Sequence, residues 1–296
     1  MRGMTITGTP TRSTGPDGEP VFTKTLVDAP PLFFHREAAG LRALQAAGAR
    51  VPDVLDVTEE TITLSWVEQG GERTAASEEE FGRELAALHR SGPERLQAQE
   101  APSRESAAST ARGVAATHGS GDAKPPVTFG SVDGEPTAYL GACPVDLTPT
   151  GAWHESWVQR RVLPLARRAA ELGALDPVLA ALAERISPDR LGPPEPPALL
   201  HGDLWGSNRL VDSRGRSWLI DPCAQLGHRE VDLAMMQLFG GFSGRVFAAY
   251  VEAHPLAEGW QERVAVYQTV PLLVHALLFG GGYGVQAGDA LREAAR

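Results

Sequence analysis

The stretch HGDLWGSNRL, residues 201–210, sets a carboxylate and a carboxamide five residues apart, between a proline-rich segment and a short apolar run that ends at Asp221. Phosphoryl transfer gives that arrangement a physical rationale. Asp203 can accept or orient the proton of an attacking hydroxyl, while the carbonyl oxygen of Asn208 is a neutral hard ligand for Mg²⁺ on nucleotide phosphates. The run SWLID reads as a strand whose end delivers Asp221 as a charged ligand bridging the metal to the β- and γ-phosphates. Two metal ligands and one base then come from a single hairpin. Lys24, in the strand pattern EPVFTKTL, and Glu37, on the helix pattern after it, form an ion pair that can hold the ammonium against the α- and β-phosphates. Taken singly, HGD is a turn, Lys24 and Glu37 are solvated charges and Asp221 opens an Asp-Pro turn. The ordered set is what points to chemistry. Cys223 reads as a small buried residue, and His89, His254 and His275 lack metal-ligand spacing, so they read as surface or core histidines.

These groups need elements to place them. EPVFTKTL alternates apolar and polar residues after the turn signal TGPDGE, as one arm of an antiparallel hairpin would. PPLFFHREAAGLRALQAAGA carries Phe33, Ala38, Leu41 and Leu44 at helical spacing, and VPDVLDVT and TITLSWVE follow as strands before QGGER breaks the pattern. A small sheet-plus-helix lobe is expected over residues 1–68. Beyond it the period turns helical: EEEFGRELAALHRSG is expected to stop at Gly92, and AWHESWVQRRVLPLARRAAELG reads as a core helix with a basic outer face. Further helices are expected at 176–187, 230–239, 244–253 and 259–279. Residues 94–128, rich in Ala, Ser, Gly and Gln, show neither period and read as a flexible insertion in the second lobe, residues 69–296. There is no internal repeat.

At 296 residues the chain can bury a substantial core, in one large domain or two lobes with a cleft. Its 27 Lys and Arg against 37 Asp and Glu give a net charge of -10, which disfavours a nucleic-acid footprint or a polybasic membrane patch and suits a cationic small substrate. With two cysteines and an N-terminus lacking an apolar core, a disulfide framework and export are not expected, and no run reaches the roughly 20 apolar residues of a membrane span. The expectation is a cytoplasmic enzyme, monomeric, with neither nucleic-acid nor membrane partners.

HGDLWGSN, then IDPCAQLGHREVDLAMMQLFGGF, FAAYVEAHPLAEGW and LLVHALLFGGGY, together resemble the fructosamine kinase (ketosamine 3-kinase) family of the kinase-like superfamily, which also holds aminoglycoside and choline kinases. VFTKTL, FGRELAALHRSG and QRRVLPLARRAAELGAL are most similar to actinobacterial members. The resemblance implies an α+β, bilobal protein-kinase-like fold with a small antiparallel-sheet N-lobe and a larger, mostly helical C-lobe. It implies ATP- and Mg²⁺-dependent phosphorylation of the sugar 3-hydroxyl of a low-molecular-weight ketosamine or a glycated lysine, whose product then eliminates and frees the amine. Carried over, Asp203 is the base, Asn208 and Asp221 hold Mg²⁺, and Lys24 and Glu37 position the phosphates. Ser65 and Val67 meet adenine through backbone groups at the hinge. Trp205, His228 and Glu230 become candidates for the substrate pocket, and Asp232 braces the catalytic loop from behind. Two features depart from the family pattern. The strand and glycine-rich loop that normally precede the hairpin are expected to be missing, since TGTPTRSTG matches that loop poorly, and WGSN stands where relatives carry W-S-G-N or W-N-G-N. An aminoglycoside- or choline-type kinase shares the triad and is the alternative enzyme; a catalytically impaired nucleotide-binding protein is the alternative of another class.

Overall fold

A four-stranded antiparallel sheet opens the described chain: β1 (Arg12–Thr14), β2 (Pro20–Thr25), β3 (Val54–Val57) and β4 (Thr61–Ser65) lie in the order β1-β2-β4-β3. The computed structural model describes residues 12–100 and 128–296. Of TGTPTRSTG, residues 7–11 lie outside the described residues, as do residues 101–127 of the expected insertion, while Arg12–Thr14 form β1, so a short strand does precede β2. Between β2 and β3 runs α1 (Phe33–Ala46), whose Phe34, Ala38, Leu41 and Leu44 recur at helical spacing and are buried. Each such side chain stabilises the fold by about 1.5–3 kcal/mol for the larger ones. That face packs against the sheet, and α1 thereby presents Glu37 to Lys24 on β2.

The next helix runs further than its sequence suggests. It begins at Ala75 as expected but continues through Gly92 and Pro93, as α2 (Ala75–Glu100). Proline removes one backbone donor, yet the strong helix formers in ERLQAQE carry the helix past it. Residues 128–150, which show no clear period, form β5 (Gly130–Ser131) and the hairpin of β6 (Thr137–Leu140) with β7 (Cys143–Asp146). The tryptophan-rich helix starts as a π-helical segment, Glu155–Val162, and straightens into α3 (Leu163–Glu171). Arg161 lies inside, its guanidinium 5.3 and 5.1 Å from the rings of Trp153 and Trp157, and it donates to Ser156 and to Gln225. Burial pulls its pKa down to about 10.

The region expected at 176–187 is a short turn of helix, α4 (Pro177–Ala180), followed by a 3₁₀ segment. The chain then delivers β8 (Ala198–Leu200), the loop 201–208, the hairpin β9 (Arg209–Val211) and β10 (Ser217–Leu219), and β11 (Gln225–Gly227), which pairs with β8 and β5. Helices α5 (Glu230–Leu238), α6 (Gly244–Ala253) and α7 (Trp260–Phe279) follow the expected ranges, and α8 (Gly282–Ala294) adds one that the glycine run before it conceals. The hydrophobic cluster around α1 and β4 continues through Phe81 and Leu85 of α2 to Leu199, Leu233 and Val246, so the sheet and the helices beneath the loop 201–208 share buried contacts. Among the described residues, no helix is long and apolar enough to cross a membrane.

Candidate active site

Lys24 reaches from β2 into the cleft, and its Nζ donates to Glu37 Oε1 at 2.7 Å and to Asp221 Oδ1 at 2.5 Å. The ammonium is buried, whereas the Asp221 side chain is 42% exposed, so one end of this three-membered chain opens to solvent. Burial alone would lower the lysine pKa, but the two carboxylates more than offset it and hold the ammonium above its ordinary value. Burial also raises the Glu37 carboxyl, against the pull of Lys24. Asp221 sits just past β10 with φ 56, in the left-handed region and ahead of Pro222. That conformation costs an L-residue about 1–2 kcal/mol and is disfavoured again before proline. The surrounding contacts hold the carboxylate there against that cost.

Asp203 comes from the loop after β8. Asn208 anchors it from across the loop, its Nδ2 donating to the Asp203 backbone oxygen at 2.9 Å and to Oδ2 at 3.1 Å. With the amide nitrogen committed, the Asn208 carbonyl oxygen is the atom left to ligate a cation. Burial, then the charge of Asp221, pushes the Asp203 pKa up to about 7, against the Asn208 hydrogen bond. Beneath the loop lies Asp232, the fully buried first-turn carboxylate of α5. It accepts from the His201 and Gly202 backbone at 2.8 and 2.9 Å and from His89 at 3.2 Å. Burial works against this charge, but the His89 hydrogen bond and the charges of His89 and His201 bring the Asp232 pKa below its ordinary value. Two backbone donors of the catalytic loop are thus fixed by one anion.

The glycine shift in WGSN has a steric cause. A Cβ on Gly206 would lie 3.0 Å from Gly241 Cα, and one on Gly241, where φ is 91, would lie 2.6 Å from Gly206 Cα. The catalytic loop and the loop after α5 touch backbone to backbone. Gly241→Ala is therefore expected to cost about 1–3 kcal/mol and to lower turnover by displacing the loop. A denaturation midpoint equal to that of the parent would show that the contact is not tight.

Two cavities meet at Lys24 and Asp221, which line both. One, of about 390 Å³, is walled by Phe22, Leu64, Trp66, Leu210 and Ile220, with Ser65 and Val67 along its edge. Ser65 spends its N–H and Oγ on Asp53, whereas Val67, past the end of β4, has no backbone partner among the described residues. The other, of about 180 Å³, is lined by Asp203, Asn208, Trp205, Arg36, Tyr139 and Cys223, among others. A largely apolar slot and a smaller, more polar one therefore share a junction of one lysine and one aspartate. Among the described residues no cluster of three or more His, Cys, Asp or Glu forms a metal cage. An acidic oxygen and an amide oxygen fit a hard cation that takes its remaining ligands from phosphates and water.

Of the expected site residues, Lys24, Glu37, Ser65, Val67, Asp203, Trp205, Asn208 and Asp221 line these two cavities. His228 and Glu230 do not. His228 is buried and stacks on Tyr267 at 5.3 Å, and Glu230 is buried in a two-pronged ion pair with Arg263 at 2.8 and 2.6 Å. The chain lines the cavity through Ala224 and β11 then carries it away, so nearness in sequence misleads. The acceptor side instead receives Arg36, beside Glu37 on α1 and paired with Asp133 at 2.5 Å, and Tyr139 on β6, which donates to Pro31 O. Arg36 was open to inference from its place next to Glu37; Tyr139 carries no signal in the sequence.

The fructosamine kinase family model matches residues 9–100 and 93–296. A probable ketoamine kinase of Thermus thermophilus is 37% identical over 261 residues, spanning 88% of this chain and 82% of its own. Ketosamine-3-kinase of Mus musculus is 37% identical over 140 residues, 44% of either chain. The crystal structure of a protein from Thermobifida fusca assigned as a fructosamine-3-kinase superposes with a TM-score of 0.75 at 38% identity, covering 96% of this chain and 88% of that one.

Proposed function

Because the chain belongs to the fructosamine kinase family, we propose that it phosphorylates the 3-hydroxyl of a ketosamine with ATP and a divalent cation, magnesium in our reading. The observation that carries the proposal is the junction itself: Lys24 held between Glu37 and Asp221, with Asp203 on the acceptor side of the same cleft. Adenine lies in the apolar slot, meeting backbone groups near Ser65 and Val67. Lys24 swings its ammonium onto the α- and β-phosphates while Glu37 keeps it in register. Asn208 and Asp221 would hold the metal, whose charge supports the phosphates when bound. On the other side Trp205 walls the sugar. The 3-hydroxyl oxygen bonds to the γ-phosphorus, the bond from that phosphorus to the ADP oxygen breaks, and the hydroxyl proton passes to Asp203 and then to water. Positioning and charge stabilisation account for most of such catalysis, which is why each group is anchored by a second.

The product's 3-phosphate is a better leaving group than hydroxyl, so elimination frees the amine, whether a small metabolite or a lysine. The test is an acceptor panel followed by ADP release with Mg·ATP. Fructosyl- or ribulosyl-amines should be consumed, and kanamycin and choline should not. Turnover of kanamycin or choline alone would replace this reading with an aminoglycoside- or choline-type kinase, and nucleotide binding with no acceptor consumed would make the protein a binder.

A further inference from the structure

Trp205 is the inner end of a row of rings that continues out of the acceptor cleft. Its indole meets Phe239 edge-on at 5.9 Å, Phe239 meets His275 at 4.7 Å, and His275 meets Tyr283 at 5.0 Å and Phe279 at 5.4 Å. Four of the five are half-buried, and the outermost, Phe279, is 67% exposed. These residues come from four places in the fold: the catalytic loop, the end of α5, α7 and α8. A solitary exposed phenylalanine needs no explanation, but a contiguous aromatic strip beginning at a cleft is a feature of binding surfaces.

His275 adds a polar atom to the strip. Its Nδ1 pairs with Pro271 O at 2.7 Å, which fixes the proton on that nitrogen and leaves Nε2 an acceptor. Nε2 has no hydrogen bond within the described residues and is not among the sealed, unpartnered atoms, so it opens to solvent along the row. The cleft itself holds about 180 Å³. That is below the roughly 300–1,000 Å³ of sites that enclose a drug-sized ligand. A sugar fills it, and whatever the sugar carries must continue outside.

We propose that the amine-borne arm of the ketosamine leaves the cleft across this row, so that the protein selects ketosamines whose amine carries an extended alkyl chain, as in a glycated lysine, over those of short amines. The inference rests on the ketosamine reading above. Methylenes lie across the faces of Phe239 and Phe279, and an N–H farther out along the arm, such as the amide N–H of a lysine, is within the class of donors that Nε2 accepts. Row and cleft are continuous through Trp205, which lines the one and begins the other.

The test compares kcat/KM for three fructosyl adducts, of methylamine, n-hexylamine and Nα-acetyl-lysine, in the parent and in Phe279→Ser and Phe279→Ser/Tyr283→Ser. The parent should favour the two long arms about tenfold over methylamine, each methylene laid on an apolar surface adding a fraction of its full burial value. Phe279→Ser should remove about threefold of that preference, and the double variant should bring the long arms to within about twofold of methylamine. Turnover of the methylamine adduct by each variant reports that it is folded. Equal kcat/KM for all three arms in the parent, or a preference that survives the double variant, overturns the proposal. Consumption of no ketosamine at all overturns the kinase reading and this inference with it.

Discussion

Asp203→Asn should lower turnover about 10²–10⁴-fold, the usual loss when a general base is removed, while making the protein more stable. Both effects come from one placement. The carboxylate sits in a partly desolvated loop facing Asp221, with Asp232 behind it, and its pKa is pushed up to about 7. An acid whose folded pKa exceeds its unfolded value of about 3.9 binds its proton more tightly when folded, so its ionisation opposes folding. The penalty is absent below about pH 4, grows as the pH rises through the folded value near 7, and is constant above it. Asparagine has no charge to desolvate. At pH 8 and without nucleotide or metal the variant should therefore be more stable by about 1–3 kcal/mol, a figure reduced for the loop's contact with solvent. The gain should shrink as the pH is lowered toward 4. Thermal melts of the two proteins from pH 4 to 8 check the sign, and stopped assays of ADP release check the rate. A variant that keeps a tenth of parental turnover would exclude Asp203 as the base.

Asp221→Asn is the second large loss. Removing the charged member of the ligand pair should cut turnover at saturating Mg·ATP by about 10²–10³, comparable with deleting one preorganised group that stabilises transition-state charge. Asparagine is the informative replacement, since its short polar side chain tolerates the left-handed backbone that Asp221 adopts, whereas alanine would add strain unrelated to chemistry. Lys24 keeps Glu37 as a partner, so nucleotide affinity measured by calorimetry without metal should change only a few-fold. If metal-free affinity collapses along with turnover, Asp221 is holding the site together, and its assignment as a metal ligand loses its support.

The residues to which we assign the chemistry were legible because their side chains are costly where they are. A lysine on an apolar-polar strand, a glutamate on the next helix and H-x-D-x(4)-N before an Asp-Pro have no use in an aliphatic core, and their order left few alternatives. α1 and α6 could be read because each keeps a buried face at helical period, whereas α5 and α7 are buried at consecutive positions and were legible as apolar runs. Elements of two or three residues could not. β5, β8 and β11 are too short to display alternation, and their partners lie up to about a hundred residues away, so only the assembled sheet defines them. α8 begins inside GGGYG, a sequence that locally argues for a loop and is overruled by packing against α7 and α4. His228 and Glu230 lie away from the two cavities for a related reason: proximity along the chain is not proximity in space once β11 intervenes. Trp205 could be placed by its motif and Arg36 by its place beside Glu37, but Tyr139 reaches the smaller cavity on a hairpin whose docking onto α1 no local pattern records.

The bond from Lys24 to Asp221 joins residues 197 positions apart. During synthesis at about 5–20 residues per second, the lysine is added roughly 10–40 s before the aspartate exists. Throughout that interval the emerging lobe has Glu37 but neither the carboxylates nor the loop that complete the cleft, so ATP has no site to bind and gives the growing chain no help in folding. Fragments ending before Asp221, whether from stalled translation or from proteolysis, would then be blind to nucleotide, which would protect only chains that have been finished.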